Sequence, residues 1–90
     1  MPTHTSFIAG TKHRGADAYV RALEPETPVA LEPEPTNQYD PNAVKVLHEG
    51  KHIGYVPRDL SAEIAKRCKD GSFVSAKIGA GRKLLIEYRT

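Results

Sequence analysis

The stretch Asn37-Gln38-Tyr39-Asp40-Pro41-Asn42-Ala43-Val44-Lys45-Val46 decides how the chain folds. It opens as a polar turn and closes as an alternating strand. Pro41 fixes its own φ, and the Asx side chains around it can bond nearby backbone N–H groups, so the turn is specified locally. Val44 and Val46 then point one way and Lys45 the other, the period of a half-buried strand. A turn needs only two or three such residues, yet this one displays an amide, a phenol, a carboxylate and a second amide between Asn37 and Asn42. On the residues alone, a purely structural turn and a functional one are equally open.

Downstream, Glu49-Gly50-Lys51 reads as a hairpin turn, and residues 51–56 return as the partner strand. Gly54 inside that strand signals a bulge or a close backbone approach. Upstream, residues 28–35 place Val29 and Leu31 on one face, and Pro33 and Pro35 end the strand at an edge because neither can donate a ladder hydrogen bond. Residues 5–10 form a first strand closed by Gly10, followed by the basic loop Thr11-Lys12-His13-Arg14-Gly15. Residues 16–23 have the composition of a helix of about two turns, stopped before Pro25. Residues 57–71 are the clearest helix, with Leu60, Ile64, Ala65 and Cys68 as its apolar stripe and Gly71 as its stop. Residues 72–78 and 82–88 are two last strands joined at Gly79-Ala80-Gly81, with Leu84, Ile86 and Tyr88 on one face. About six hairpin-spaced strands and two short helices predict a mainly β chain, a small and partly open barrel rather than a parallel α/β sheet.

Ninety residues with 39% hydrophobic and 27% charged content suit one soluble domain, with its core over about residues 6–88. No apolar run approaches the roughly 20 residues of a membrane span. The first residues lack the pattern of a secretory signal, and the one cysteine, Cys68, cannot form an internal disulfide, so a cytoplasmic location is expected. The net charge of +2 is uneven: residues 1–21 carry +2, residues 22–40 carry −5 and residues 41–90 carry +5. Two basic segments flanking an acidic one could fold into a basic face, although charge alone favours a solvated mixed-charge surface.

Catalysis is not expected. The chain has no phosphate loop; Gly79-Ala80-Gly81-Arg82-Lys83 joins two strands and reads as a hairpin. His4, His13, His48 and His52 have no metal-ligand spacing, so neither a metal nor a cofactor is expected. Cys68 reads as a small core residue and not as a nucleophile.

Phe7-x-x-Gly10, Val29-x-Leu31, Asn37-x-Tyr39-Asp40-Pro41-Asn42-Ala43-Val44-x-Val46 and Ile53-Gly54-Tyr55-Val56-Pro57-Arg58 together resemble the HIRAN domain family over nearly the whole chain. The resemblance implies an OB-like β-barrel that captures the 3′ end of single-stranded DNA without catalysis, in repair or stalled-fork processing. It implies that Tyr39 stacks on a terminal base, Asp40 accepts a hydrogen bond from the 3′-hydroxyl, Asn37 shapes the pocket and Arg58 meets phosphate. Asn37, Tyr39 and Asp40 are expected to be the exposed part of the stretch. In the basic loop, Lys12 and Arg14 could meet phosphate and His13 could stack, although family members that bind DNA ends carry aromatics there. Such a module acts as a monomer alongside a helicase or nuclease supplied in trans, away from membranes. Tyr19, Tyr55 and Tyr88 are read as core or barrel-wall residues. The rival class is a protein-interaction domain or accessory subunit using the acidic segment from Glu24 to Glu34 or the proline-marked edge.

Overall fold

The alternation at 44–46 holds in the computed structural model, which describes residues 2–12 and 15–90. Val44 and Val46 are fully buried, while Lys45 reaches outward to Glu32 at 3.2 Å. They belong to one of six strands: β1 (Thr3–Phe7), β2 (Pro28–Pro33), β3 (Val44–His48), β4 (Lys51–Tyr55), β5 (Phe73–Gly79) and β6 (Lys83–Tyr88). The strands pair antiparallel in the order β1-β6-β5-β2-β3-β4. Two helices complete the fold, α1 (Asp17–Arg21) and α2 (Arg58–Asp70).

β2 is the corner of the sheet. Pro28 and Val29 pair with β5, whereas Ala30 to Pro33 pair with β3. By Pro33 the strand has one named neighbour only, so the missing N–H donors of Pro33 and Pro35 cost no ladder bond on the vacated side. The two ends of the strand order meet at a single residue pair. The Ala9 N–H donates to the Tyr55 carbonyl at 2.8 Å, and the Tyr55 N–H returns to the Ala9 carbonyl at 2.9 Å. This is the small, partly open barrel expected from the strand spacing, and the OB-like one that the resemblance implies, a mainly β half-barrel closed by one bridge.

Gly54 makes that closure possible. A Cβ there would collide with Ile8 Cγ2 and stand 2.6 Å from the Ala9 carbonyl oxygen. A bulge also falls at this point, because Val46 pairs with Gly54 but Leu47 pairs with His52, leaving Ile53 as the extra residue. Both readings of Gly54 therefore apply. The β3–β4 hairpin turns on Glu49 (φ 49) and Gly50 (φ 83), both left-handed as a two-residue type I′ loop requires.

Two element boundaries differ from expectation. The first strand is Thr3–Phe7 and not 5–10, because Ile8 and Ala9 leave the β6 ladder to reach β4. α1 has five residues, short of two turns, and neither end is capped by a side chain that would extend it. α2 fits expectation closely, ending at Gly71 in the left-handed conformation (φ 82) that closes helices without a Cβ penalty. It lies over β2, β3 and β5 and buries Ile64 fully, with Leu60, Ala65 and Cys68 partly buried against the core. Each large aliphatic side chain so buried contributes about 1.5–3 kcal/mol relative to exposure. Burial, with Asp70 nearby, pushes the Cys68 thiol up, the opposite of what a nucleophile needs.

Candidate functional site

The turn between β2 and β3 is built by its own side chains. Asn37 Oδ1 accepts the backbone N–H of Tyr39 at 2.9 Å and of Asp40 at 3.0 Å, while Asn37 Nδ2 donates to Glu34 Oε1 at 2.7 Å. Asp40 Oδ1 accepts the Asn42 N–H at 2.9 Å. Asp40 Oδ2 accepts the hydroxyl of Ser61 on α2 at 3.0 Å, which ties the turn to the helix and gives that buried hydroxyl a partner. The guanidinium of Arg58 reaches the Tyr39 carbonyl oxygen, at 3.4 Å, from the first turn of α2.

Between this turn, the Ala9–Tyr55 closure and the start of α2 lies a groove of about 660 Å³. Asn37, Tyr39, Asp40 and Arg58 line it together with Ala9, Gly10 and Tyr55. Tyr39 is 80% exposed, so its ring is free to meet a ligand. Asn37 and Asp40 are only half-exposed. The expectation that all three residues project into solvent is therefore corrected: Asn37 and Asp40 spend hydrogen bonds on the turn amides, on Glu34 and on Ser61, and only the Tyr39 side chain stands fully exposed. A carboxylate has about four acceptor positions and two of Asp40's are filled, so it can still take a donor from the groove.

The electrostatics are mixed. Glu34 is held below the usual carboxylate range, first by the hydrogen bond from Asn37, then by the Tyr55 hydroxyl at 2.9 Å, with smaller help from Lys45 and His52. Lys45 answers Glu32 and Glu34 and is not a free cation for the groove. Arg58 is exposed and makes no ion pair with a described residue. It also stands at the N-terminal end of a helix with no side-chain cap, where the helix dipole favours an anion.

Four of the seven residues singled out from the sequence thus meet in one groove. Lys12 is exposed, two positions beyond Gly10, but does not line it. His13 and Arg14 lie outside the described residues. Tyr55, expected in the core or barrel wall, is half-buried as a wall residue should be, yet it also lines the groove. The usable signal was Gly54, because a bulge re-aims the side chain that follows it.

The model of the family described as the HIRAN domain matches residues 2–82. No curated protein matches significantly in sequence. Two crystal structures share the fold. The HIRAN domain of human HLTF superposes with a TM-score of 0.79 at 20% identity, covering 96% of this chain and 74% of that one. A protein from Lactobacillus plantarum gives 0.73 at 23% identity, covering 96% and 87%.

Proposed function

This chain belongs to the HIRAN domain family, and from that premise we propose that it is a DNA-binding module that captures the free 3′ end of a single strand. The observation that carries the reading is the groove, in which an exposed aromatic, a carboxylate and an unpaired guanidinium converge. Tyr39 stacks on the terminal base, an interaction of about 1–3 kcal/mol that tolerates any sequence. Asp40 accepts the 3′-hydroxyl in its remaining acceptor position and repels a 3′-phosphate, so specificity comes from rejection as well as attraction. Arg58 meets the adjoining phosphate. Asn37 acts by holding the turn, since its amide is already committed to Glu34 and to two backbone N–H groups. The module is not catalytic and serves a helicase or nuclease in trans, in repair or stalled-fork processing.

Titration with short oligonucleotides that differ only in a 3′-hydroxyl or a 3′-phosphate tests this. The hydroxyl end is expected to bind several-fold more tightly, and Asp40→Asn is expected to shrink that preference. The variant keeps the acceptor for the Asn42 N–H and offers its amide N–H to the Ser61 oxygen, whose own hydroxyl can still donate to the Arg58 carbonyl. Equal affinities for the two ends in the unmodified protein would sink the end-capture reading. Asp40→Ala is the poorer test, because it also unties the turn from α2.

A further inference from the structure

On the other side of Pro41 and Asn42 lies a second cleft, of about 320 Å³, between the proline-marked segment and α2. Pro33, Pro41 and Asn42 form one wall, and Ala62, Lys66 and Lys69 the other. The spacing of Arg58, Ala62, Lys66 and Lys69 puts all four on one face of α2. Arg58 borders the first groove and the two lysines border the second, so a single cationic stripe connects them. Neither lysine makes an ion pair with a described residue. The acidic residues of the helix fall on the adjoining face, where Glu63 engages His4 and Arg67 and Asp70 accepts the Ser72 N–H. Ala62, lying between Arg58 and Lys66, is small enough to let a chain pass close to the helix.

We infer that this cleft is a phosphate-binding subsite, holding the backbone of the same DNA strand several nucleotides 5′ of its captured end. The inference rests on the 3′-end reading above. At 1.5 Å of rise per residue, Lys66 and Lys69 stand about 12 and 16 Å along the helix from Arg58. At about 3.4 Å per nucleotide of stacked strand, that is roughly four to five nucleotides, within the ~4–16 that OB-type folds occupy. The stripe offers charge and a smooth wall but no ring, so it follows a backbone without reading bases.

The test compares thymidine oligonucleotides of three and ten residues, both with 3′-hydroxyl ends, on the unmodified protein and on a Lys66→Gln/Lys69→Gln variant. Neither lysine makes an ion pair with a described residue and both are exposed, and the one electrostatic link, from Lys66 to the exposed Asp70, is weak, so the melting temperature should move little. On the 10-mer the variant is expected to bind about tenfold more weakly at low salt, with a log–log salt slope shallower by about 1.4, or ~0.7 for each lost phosphate contact. Its affinity for the 3-mer and its preference for hydroxyl over phosphate ends should stay as they were. Arg82→Gln/Lys83→Gln, at the β5–β6 turn and lining neither site, should leave the slope unchanged. An unaltered slope in the cleft variant, or an equal loss in the turn variant, would overturn the subsite. If the unmodified protein binds the 3-mer but gains nothing from the 10-mer, the subsite fails alone. If it binds neither oligonucleotide, the 3′-end reading fails with it.

Discussion

Two connections in this barrel perform the same task by different means. The link from β2 to β3 has no left-handed residue; Asn37 and Asp40 shape it with side-chain hydrogen bonds to three backbone N–H groups and one helix hydroxyl. The link from β5 to β6 has no side-chain cap, and it turns because Gly81 (φ 71) and Arg82 (φ 63) adopt the left-handed region. In the first, the shape of the turn depends on the identity of particular side chains, and Tyr39 is aimed by the hydrogen bonds around it. In the second, backbone conformation sets the turn, and the exposed Lys83 beyond it begins β6, paired with Gly79 and Phe7. A polar turn is thus partly spent on its own construction, and only its leftover groups are available to a ligand.

The largest expected effect breaks the first connection. Asn37→Ala removes the bonds to Glu34, Tyr39 and Asp40, at about 0.5–1.5 kcal/mol net for each. A total near 2–3 kcal/mol should lower the melting temperature by roughly 10 °C or more. Asn37→Asp sharpens the same point: it keeps the acceptor for the two N–H groups but sets a second carboxylate against Glu34, and should melt between the alanine variant and the unmodified protein near neutral pH.

Tyr39→Ala is the complementary experiment. The exposed ring contributes little to folding, so thermal melts should overlay, while the affinity for a short 3′-hydroxyl oligonucleotide should fall tenfold or more, as the loss of about 1–3 kcal/mol of stacking requires. A variant that instead lost stability would place Tyr39 with Asn37 as a builder of the turn. Gly81→Ala probes the second connection. Nothing lies within 4 Å of the added Cβ, so the cost is left-handed backbone strain alone, about 1 kcal/mol. Oligonucleotide binding should be unaffected.

The strands of the barrel could be approached from sequence where they advertise an inward face, as Val44 and Val46 or Leu84 and Ile86 do, whereas β1 buries no apolar side chain and was placed less well. The helix over α2 was legible at both ends, from Pro57 to Gly71. The closure was not. Ala9 and Tyr55 meet through backbone atoms, and backbone hydrogen bonds leave no mark on side-chain identity beyond the missing Cβ of Gly54. The site was half legible for a related reason. Composition announced that residues 37–42 carry excess chemistry, but it could not say how much the turn itself consumes. That division depends on Ser61 and Glu34, one buried on a later helix and the other beyond the motif.

The smallest effect separates the two connections by pH. Glu34 has a folded-state pKa below its ordinary value, chiefly because Asn37 and Tyr55 donate to its charged form. The unfolded chain, with glutamate near 4.3, therefore binds the proton first as pH falls. The stabilisation is complete above that value and is lost as pH drops through the lower, folded pKa. Asn37 contributes most when Glu34 is charged, so the gap in melting temperature between Asn37→Ala and the unmodified protein should narrow on acidification from pH 6 to below 4. The gap for Gly81→Ala should hold constant, because no carboxylate takes part in that backbone strain. Glu63 and Asp70 are also held low by their own partners, so all three proteins lose stability in acid together, and only the difference between melts isolates Glu34. In a Glu34→Gln background the Asn37→Ala gap should become independent of pH. A gap that still narrows there would overturn the assignment to Glu34.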